Sequence, residues 1–397
     1  LNTHQPEMAP FAPIPYQHVL VLSLFLYFHP AAAFSTSKQQ RKPGITVPFS
    51  SASDLLYEDQ QNALERQALH EEKLLSSKSR ELIAPKITPR AQAGIGFGGQ
   101  SKNQNPKAWL AVEQAKVLKK EGVIRIDQVM SGHVADELRE QILQQQVVAQ
   151  TRTEDDPSTS RTYYGVENRR KNRCDLQLSL LQGGYAADNG GQVDEDEPHA
   201  VAEALQELLG TNGSLRMLYE NLVTLQGEFY EFAALVTEPG SQRQTVHPDL
   251  PFNEVAPLYV VFIALQDVNF PMGPTSFLLR THTKQKNEKF NIQSEKDQLL
   301  RKADTRFSTL KKGDAVVFDA RILHCGNANE PADGSTRVLF NFSFRNPQVT
   351  GDLGYPGSIR PGYCGALTLG GIQEALDLYG AGDKNPFASY SDGLIQT

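Results

Sequence analysis

Cysteine is scarce in this sequence, and the few cysteines present form no recognisable pattern. The 397 residues include only Cys174, Cys325 and Cys364, and no CxxC pair occurs. An odd, scattered set of this kind excludes both a disulfide framework and a zinc knuckle. We therefore expect other side chains to carry the chemistry of the protein.

Excess positive charge and membrane-length apolar runs are also lacking. The formal net charge is -7 at pH 7, which argues against a nucleic-acid partner for the folded body. The apolar run Val19–Phe28 is too short to cross a bilayer comfortably, so we expect no stable membrane span in the mature chain. Hydrophobic residues at 39% and charged residues at 21% suit a soluble globular protein with flexible parts.

Residues 1–53 are predicted to be a targeting presequence. Val19–Phe28 has the length of a signal-peptide core, and Ala31–Ala33 is a small-residue cleavage pattern. From Ser35 to Ser53 there are basic and hydroxyl residues but no acidic ones, which is typical of a transit peptide. The combination resembles the two-part plastid presequence of algae with secondary plastids and predicts a plastid location. The alternative is a secretory signal that leads to the ER lumen or out of the cell.

Residues 54–105 are predicted to form a helix followed by a linker. Leucine and alanine recur near helical spacing from Asp54 to Leu82, which indicates an amphipathic helix that packs on the body or on a partner helix. The linker contains Gly94–Gly99, whose glycine spacing superficially suggests a dinucleotide-binding loop. Because no strand precedes this stretch and no helix opens at its end, we reject that interpretation.

The folded body is predicted to span residues 106–350 and to begin with helices. Pro106 is a plausible first helical residue and Gly122 a plausible stop, the strand Val123–Ile126 follows, and Ser131 caps a helix to about Val148. Further helices are predicted at Pro198–Leu209 and about Ser214–Leu225.

The second half of the body is predicted to be mostly antiparallel β, as a sandwich or jelly roll, with a helical insertion at Phe290–Lys302. The strand-like runs are Phe229–Thr237, Leu258–Gln266, Ser276–Leu279, Ala315–Asp319 and Val338–Phe344. Residues 351–397 read as a Gly/Pro-rich extension with one short helix near Gln373–Leu378.

Candidate metal ligands lie in the β half. In an extended segment His247 and Asp249 point the same way, because side chains alternate between the two faces. His324 follows the apolar run Ala315–Phe318 and is able to come from an opposite strand into the same cavity. Two histidines and one carboxylate on one face of iron form the facial triad of non-haem Fe(II) oxygenases. The third β-half histidine, His282, is interpreted as a loop residue that forms hydrogen bonds.

Arg337 opens an almost wholly apolar strand and has no obvious carboxylate partner nearby in sequence. A guanidinium fork suits the bidentate capture of a free carboxylate. We therefore treat Arg337 as a candidate anchor for an acidic small molecule.

These residues together resemble the phytanoyl-CoA dioxygenase-like group of Fe(II)/2-oxoglutarate oxygenases over roughly residues 106–350. The matching pieces are His247-Pro248-Asp249, Gly273-Pro274-Thr275 followed by Thr281-His282-Thr283, Gly313-Asp314, Phe318-Asp319, His324 and Arg337. The resemblance implies an α+β fold, with a double-stranded β-helix (jelly roll) core and N-terminal helices packed on it.

The resemblance also implies the site roles. His247, Asp249 and His324 would bind Fe(II), Arg337 would hold the distal carboxylate of 2-oxoglutarate, and Phe262 would lie beside this co-substrate. O2 is the second co-substrate, and ascorbate is a further candidate cofactor. The implied reaction is hydroxylation or desaturation of a small-molecule or lipid-like substrate with release of succinate and CO2. Halogenases of this kind lack the carboxylate that Asp249 provides.

Alternatives remain at this point. The chain could be a jelly-roll binding or scaffold protein that retains the metal site without turnover. A cupin metalloenzyme would have a close His-x-His pair, which is not found, and a lysyl-demethylase relative would not place an arginine just after the distal histidine. Leu279-Arg280 replaces the usual Pro-Gly of the group, and no acyl-CoA signature is present, so the substrate and the oligomeric state stay open.

Overall fold

The computed structural model describes residues 52–75, 79–87, 106–165, 172–185, 199–388 and 390. Residues 1–51 of the predicted presequence and the linker with Gly94–Gly99 lie outside this set. The predicted targeting signals and plastid location therefore stay predictions. Within the described residues, none of the helices combines the length and apolar character that crossing a bilayer requires.

Helices dominate the N-terminal part of the described chain and return in an insertion and near the C-terminus. They are α1 (Ala52–Leu75), α2 (Pro106–Glu121), α3 (Gly132–Asp155), α4 (Ser160–Tyr163), α5 (Ala200–Leu209), α6 (Arg216–Val223), α7 (Lys284–Asn291), α8 (Gln293–Lys302) and α9 (Leu369–Gly380).

Among the described residues, three strands lie between the N-terminal helices, and seven follow between α6 and α9. They are β1 (Arg80–Glu81), β2 (Val123–Ile126), β3 (Arg173–Gln177), β4 (Glu228–Thr237), β5 (Leu258–Ala264), β6 (Thr275–Leu278), β7 (Thr305–Phe307), β8 (Ala315–Asp319), β9 (His324–Gly326) and β10 (Arg337–Arg345).

The strands form two sheets. The larger sheet has the order β2-β8-β5-β10-β4-β3, with all neighbours antiparallel. The smaller sheet has the order β1-β7-β6-β9, in which only the β1–β7 pair is parallel. The crossing of the chain between two antiparallel sheets with an apolar layer between them is the jelly-roll arrangement predicted above.

Alternation along the strands gives each sheet an inner and an outer face. On β10, Phe340 and Phe342 belong to the outer core that the helices cover, whereas Leu339 belongs to the cluster between the sheets. The inner cluster also takes Phe262 from β5 and Phe277 from β6. Side chains that lie directly opposite these inner residues on neighbouring strands therefore also face the space between the two sheets.

Helix α1 packs on the outer face of the smaller sheet. A small apolar cluster there joins Leu75 of α1 and Leu299 of α8 to Leu278 of β6 and to Leu323, the residue before β9. This arrangement confirms the expectation that the helix packs on the body. The predicted end at Leu82 is wrong, because the helix ends at Leu75 and Arg80–Glu81 pairs with β7 instead.

The other helix predictions agree in place and differ at their ends. Ser131 caps α3 as expected, but α3 continues past Val148 to Asp155. Mostly polar side chains in this last stretch leave no apolar periodicity to read, while backbone hydrogen bonds continue the helix. The insertion predicted at Phe290–Lys302 is two helices, α7 and α8, and it begins earlier, at Lys284.

Candidate metal centre

Three side chains from two segments that are distant in sequence meet between the two sheets. One nitrogen from each of His247 and His324 and one carboxylate oxygen of Asp249 all lie within 4.8 Å of one another. Nε2 of His324 is 3.4 Å from Oδ1 of Asp249, and Nε2 of His247 is 3.9 Å from the same oxygen. The structure thus brings together the three residues that the sequence singled out as metal ligands.

Alternation places the two histidines on the inner side. Leu323 and Cys325 flank His324 and lie in the outer cluster under α1, so His324 points the opposite way, toward Phe277 and Phe318. Val246 lies in the same outer cluster, which turns His247 inward. His247 pairs with His324 as an isolated antiparallel bridge, so it extends the smaller sheet by one residue rather than lying in a full strand.

Backbone carbonyls fix the orientation of both imidazole rings. Nδ1 of His247 is 2.8 Å from the carbonyl oxygen of Thr245, and Nδ1 of His324 is 3.0 Å from that of Ile322. Each Nδ1–H therefore donates to a carbonyl, which leaves the Nε2 lone pair directed at Asp249. Histidine ligands of metals in proteins are held in this way.

The side chains of the triad differ in solvent exposure, and their charges shift the pKa values of Asp249 and His324. The side chains of His247 and Asp249 are each 28% exposed, whereas that of His324 is 5% exposed, so the centre is accessible from one side only. Burial would raise the pKa of Asp249, but the two imidazoles lower it below its usual range. Burial would likewise lower the pKa of His324, but Asp249 raises it. A carboxylate kept ionised beside two imidazoles is a set of donors suited to a divalent cation.

Arg337 lies on the inner face of the larger sheet, at one end of β10. It is 2% exposed, its Nη2 donates to Oγ1 of Thr237 at 3.0 Å, and its Nη1 donates to the carbonyl oxygen of Gly273. Its Nε has no hydrogen-bond partner, and among the described residues no carboxylate forms an ion pair with it. Burial and the neighbouring Arg173 lower the pKa of Arg337. A bound anion would therefore stabilise this buried cation.

Sequence reasoning missed two residues beside Arg337. Arg173, Thr237 and Arg337 lie directly opposite one another on the adjacent strands β3, β4 and β10, so their side chains share the inner face. Thr237 ends the apolar strand β4, and a hydroxyl at the end of such a run was the available signal. Arg173 opens β3, in a segment too short for sequence periodicity to mark its inner face.

A third missed residue, Glu231, lies on the same inner face toward the other end of β4. Tyr355 donates its hydroxyl to Oε1 of Glu231 at 3.0 Å. Burial and the charge of Asp249 raise the pKa of Glu231 to about 8. A carboxylate inside an otherwise apolar strand, Phe229-Tyr230-Glu231-Phe232, was the signal that could have found it.

Phe262 faces the inner cluster but does not touch the triad in the structure. Its ring packs on that of Phe318 at a centroid distance of 4.9 Å, and Phe318 in turn lies 5.2 Å from the ring of His324. In the sheet register Phe262 is opposite Asn341 of β10. Its role beside a co-substrate remains a prediction.

The other histidines of the body lie outside the triad. His282 is buried in its loop, where its Nε2 lies 3.1 Å from the carbonyl oxygen of Lys119. His199 caps α5 by accepting from the backbone N–H of Ala202, and burial lowers its pKa to about 4. His133 is on the surface at the start of α3. The position of His282 agrees with the hydrogen-bonding role expected from the sequence.

Helix α1 contacts the segment that carries the first two ligands. Glu71 of α1 is 1% exposed, and its Oε2 accepts from the backbone N–H of Val246, the residue before His247, at 2.6 Å. Its Oε1 contacts Nζ of Lys296 on α8 at 2.8 Å and Nε2 of Gln67 at 2.9 Å. One buried carboxylate therefore ties α1, the insertion and the ligand segment together.

Comparisons with known proteins agree with this centre. The jelly roll, the His-Asp-His triad and the buried arginine define a 2-oxoglutarate-dependent oxygenase. A family model described as "Phytanoyl-CoA dioxygenase (PhyH)" matches residues 118–337, more than half of the chain and a range that includes the triad and Arg337. The chain belongs to the phytanoyl-CoA dioxygenase (PhyH) family.

Several solved structures are similar to the chain at low identity. The non-heme alpha ketoglutarate dependent epimerase SnoN from nogalamycin biosynthesis has 16% identity, with 62% of this chain and 93% of that chain covered and a TM-score of 0.40. The carbocyclase SnoK from the same biosynthesis has 19% identity, with coverage of 63% and 87% and a TM-score of 0.40. HygX from Streptomyces hygroscopicus, with nickel, 2-oxoglutarate and hygromycin B bound, has 11% identity, with coverage of 62% and 96% and a TM-score of 0.39. Likeness of this degree carries no information on the substrate. Among curated proteins, none matches the sequence.

Proposed function

We propose that the protein is an Fe(II)- and 2-oxoglutarate-dependent dioxygenase that hydroxylates or desaturates a small molecule. The observation that carries the proposal is the convergence of His247, Asp249 and His324, with both Nε2 atoms directed at the carboxylate. Two neutral imidazoles and one carboxylate on one side leave the opposite coordination positions for co-substrates.

The residues present fit both groups that the proposal requires. His247, Asp249 and His324 would hold Fe(II). Arg337, with the Thr237 hydroxyl beside it, would hold the distal carboxylate of 2-oxoglutarate, and Phe262 would flank the co-substrate. The guanidinium of Arg337 is buried and forms no ion pair among the described residues, and the carboxylate of 2-oxoglutarate would supply one. When bound, Fe(II) with 2-oxoglutarate and O2 would supply oxidative decarboxylation to succinate and CO2 and the oxidising power for a C–H bond.

The chain itself contributes geometry and exclusion of water. The carbonyls of Thr245 and Ile322 keep the Nε2 atoms available for the metal, and Asp249 supplies the negative charge that a dication needs. The rings of Phe277 and Phe318 close the inner side of His324. Because Asp249 occupies the carboxylate position, we propose oxygen insertion or desaturation rather than halide transfer. Ascorbate would be an accessory that the site does not itself require.

The proposal is tested by adding Fe(II) and 2-oxoglutarate to the protein without oxygen. We expect a weak visible charge-transfer band, because 2-oxoglutarate chelates iron only when both groups share one site. In air, succinate should form from 2-oxoglutarate even without substrate. A wild-type protein that gives no band and releases no succinate would instead be the binding or scaffold protein that the sequence left open.

Substitution of Arg337 separates a role in co-substrate binding from a role in the fold. We expect Arg337→Met to weaken 2-oxoglutarate binding by roughly 100-fold, since a charge-assisted, two-pronged contact is lost. The stability of the protein without 2-oxoglutarate should stay equal or rise, because the substitution removes a buried, unpaired cation. Titration of the charge-transfer band and urea unfolding measure the two quantities.

The matched control for this substitution is Arg301→Ala on α8. Its side chain is 60% exposed and lies on the insertion, so 2-oxoglutarate affinity should not change. Arg337→Lys should recover only part of the affinity, because an ammonium is a point charge without the planar fork. Equal 2-oxoglutarate affinity in Arg337→Met and wild type would refute the assignment.

A further inference from the structure

The inner face of the larger sheet is polarised along its strands. Arg173, Thr237 and Arg337 form one row across β3, β4 and β10. Glu231 lies six residues before Thr237 on β4, which at about 3.3 Å per residue separates the two ends by roughly 20 Å. Glu231 also interacts electrostatically with Asp249 and His324, so it lies on the triad side of this face. Co-substrate recognition and Glu231 therefore occupy opposite ends of the site.

Glu231 has hydrogen bonds but no counter-ion. The Tyr355 hydroxyl donates to Oε1, while Oε2 is buried without a hydrogen-bond partner, although the Ser343 hydroxyl lies near enough to lower the pKa of Glu231. Among the residues that the structure describes, no lysine or arginine forms an ion pair with this carboxylate. A carboxylate enclosed near another carboxylate costs folding free energy unless a cation or a donor compensates it.

Two further acceptors accompany Glu231. Gln177 and Asn341 are opposite the same residue of β4, Ala233, so their side chains lie on the inner face one step from Glu231. They are 5% and 4% exposed, and Oε1 of Gln177 and Oδ1 of Asn341 have no hydrogen-bond partner in the described structure. Buried polar atoms are rarely left without a partner. Their shared face thus presents buried acceptors that a bound hydrogen-bond donor would satisfy.

The formal charges indicate which donor is missing. Arg173 and Asp175 offset each other, while Arg337 and Fe(II) together offset Asp249 and the two carboxylates of 2-oxoglutarate. Glu231 is then left as a carboxyl group without a counter-ion, and burial and Asp249 raise its pKa to about 8. A bound cation would lower that pKa and hold the group as one negative charge. A neutral polyol would satisfy the acceptors but not the charge, and an acyl carboxylate would add to it.

We propose that Glu231 determines substrate specificity by binding a protonated amine, so that the substrate is a small aliphatic amine rather than a lipid-like molecule. The inference rests on the proposed function, since it concerns the substrate side of the same centre. The ammonium would bind at Glu231, with Gln177 and Asn341 as further acceptors. The carbon to be oxidised would then lie between this contact and the triad.

The test uses primary amines from propylamine to octylamine, each beside the alcohol and the carboxylate of the same length. They are titrated without oxygen into the protein with Fe(II) and 2-oxoglutarate, and binding is followed by calorimetry and by the change in the charge-transfer band. We expect the best amine to bind at least about tenfold more tightly than its matched alcohol, as one charge-assisted contact would give. The carboxylates should bind most weakly.

Substitutions assign this preference to the residue. Glu231→Gln should bind the amine and the alcohol equally, and Glu231→Asp should retain part of the preference because it keeps the charge. Glu288→Gln is the matched control, since it removes the same charge from an exposed position on α7 and should behave as wild type.

The outcomes distinguish this inference from the proposed function. A normal charge-transfer band in wild type and in Glu231→Gln, with no amine bound more tightly than its alcohol, would overturn the amine proposal and leave the oxygenase proposal intact. An amine preference that survives in Glu231→Gln would overturn the role of this residue. Absence of the band in wild type would count against the oxygenase proposal itself.

Discussion

Replacing His324 by alanine is expected to weaken Fe(II) binding by roughly 100-fold or more, a larger loss than substitutions next to metal ligands usually cause. His324 is the most buried of the three candidate ligands, and its ring is fixed by the Ile322 carbonyl and by Phe277 and Phe318. No described donor is placed to substitute for its Nε2. Fe(II) affinity is measured without oxygen by competition with a coloured chelator, and succinate release should fall in parallel.

Two companion variants make the result interpretable. Asp249→Asn keeps the shape of a side chain that is 28% exposed, so the fold should persist while metal affinity falls because the charge is lost. His133→Ala removes a histidine that is 78% exposed on α3 and should leave Fe(II) affinity unchanged. If His324→Ala and Asp249→Asn both bound Fe(II) as tightly as the His133 variant, the triad would not be the metal site.

Replacing Glu71 by alanine is expected to lower the free energy of unfolding by about 3 kcal/mol. Removal of one partner of a buried ion pair leaves the other charge uncompensated, which costs on this order. Here the substitution would strand Lys296, whose side chain is 12% exposed, and the backbone N–H of Val246. Fe(II) affinity should also fall, because the segment that carries His247 and Asp249 loses a fixed contact. Equilibrium urea unfolding and the chelator competition measure the two effects.

The neighbouring residue provides the control for this prediction. Glu72 is on the same helix, its side chain is 51% exposed, and Arg243 lies 3.9 Å from it. Glu72→Ala should therefore change the free energy of unfolding by less than about 0.5 kcal/mol. Similar losses in the two variants would mean that α1 is stabilised by general packing rather than by the Glu71 contacts.

Strand alternation and ligand type made much of the centre predictable from the sequence. His247 and Asp249 are two residues apart in an extended segment, so they had to share a side, and His324 followed a recognisable apolar strand. Arg337 was conspicuous as a cation at the start of an apolar run. These signals are local, and each depends only on neighbours along the chain.

The parts that sequence reasoning missed depend on register between strands. Thr237 contributes to the site because it lies opposite both Arg337 and Arg173 on the neighbouring strands. The sequence of one strand does not specify which residues of the neighbouring strands lie opposite it. Glu71 was interpreted as one residue of an amphipathic helix, because its contact with Val246 joins segments far apart in the chain. Helix ends were also predicted wrongly where mostly polar residues show no helical spacing of apolar side chains, as at the end of α3.

The two ends of the site differ in how firmly the sheet holds them. Arg337 belongs to β10, which is paired along its length with β4 and from Leu339 to Arg345 with β5 on the other side. His324 belongs to β9, a strand of three residues that pairs with β6 and meets His247 through a single bridge. Local opening begins where few backbone hydrogen bonds must break. We therefore expect local opening of the backbone to begin at the edge that carries His324 rather than in β10, which carries Arg337.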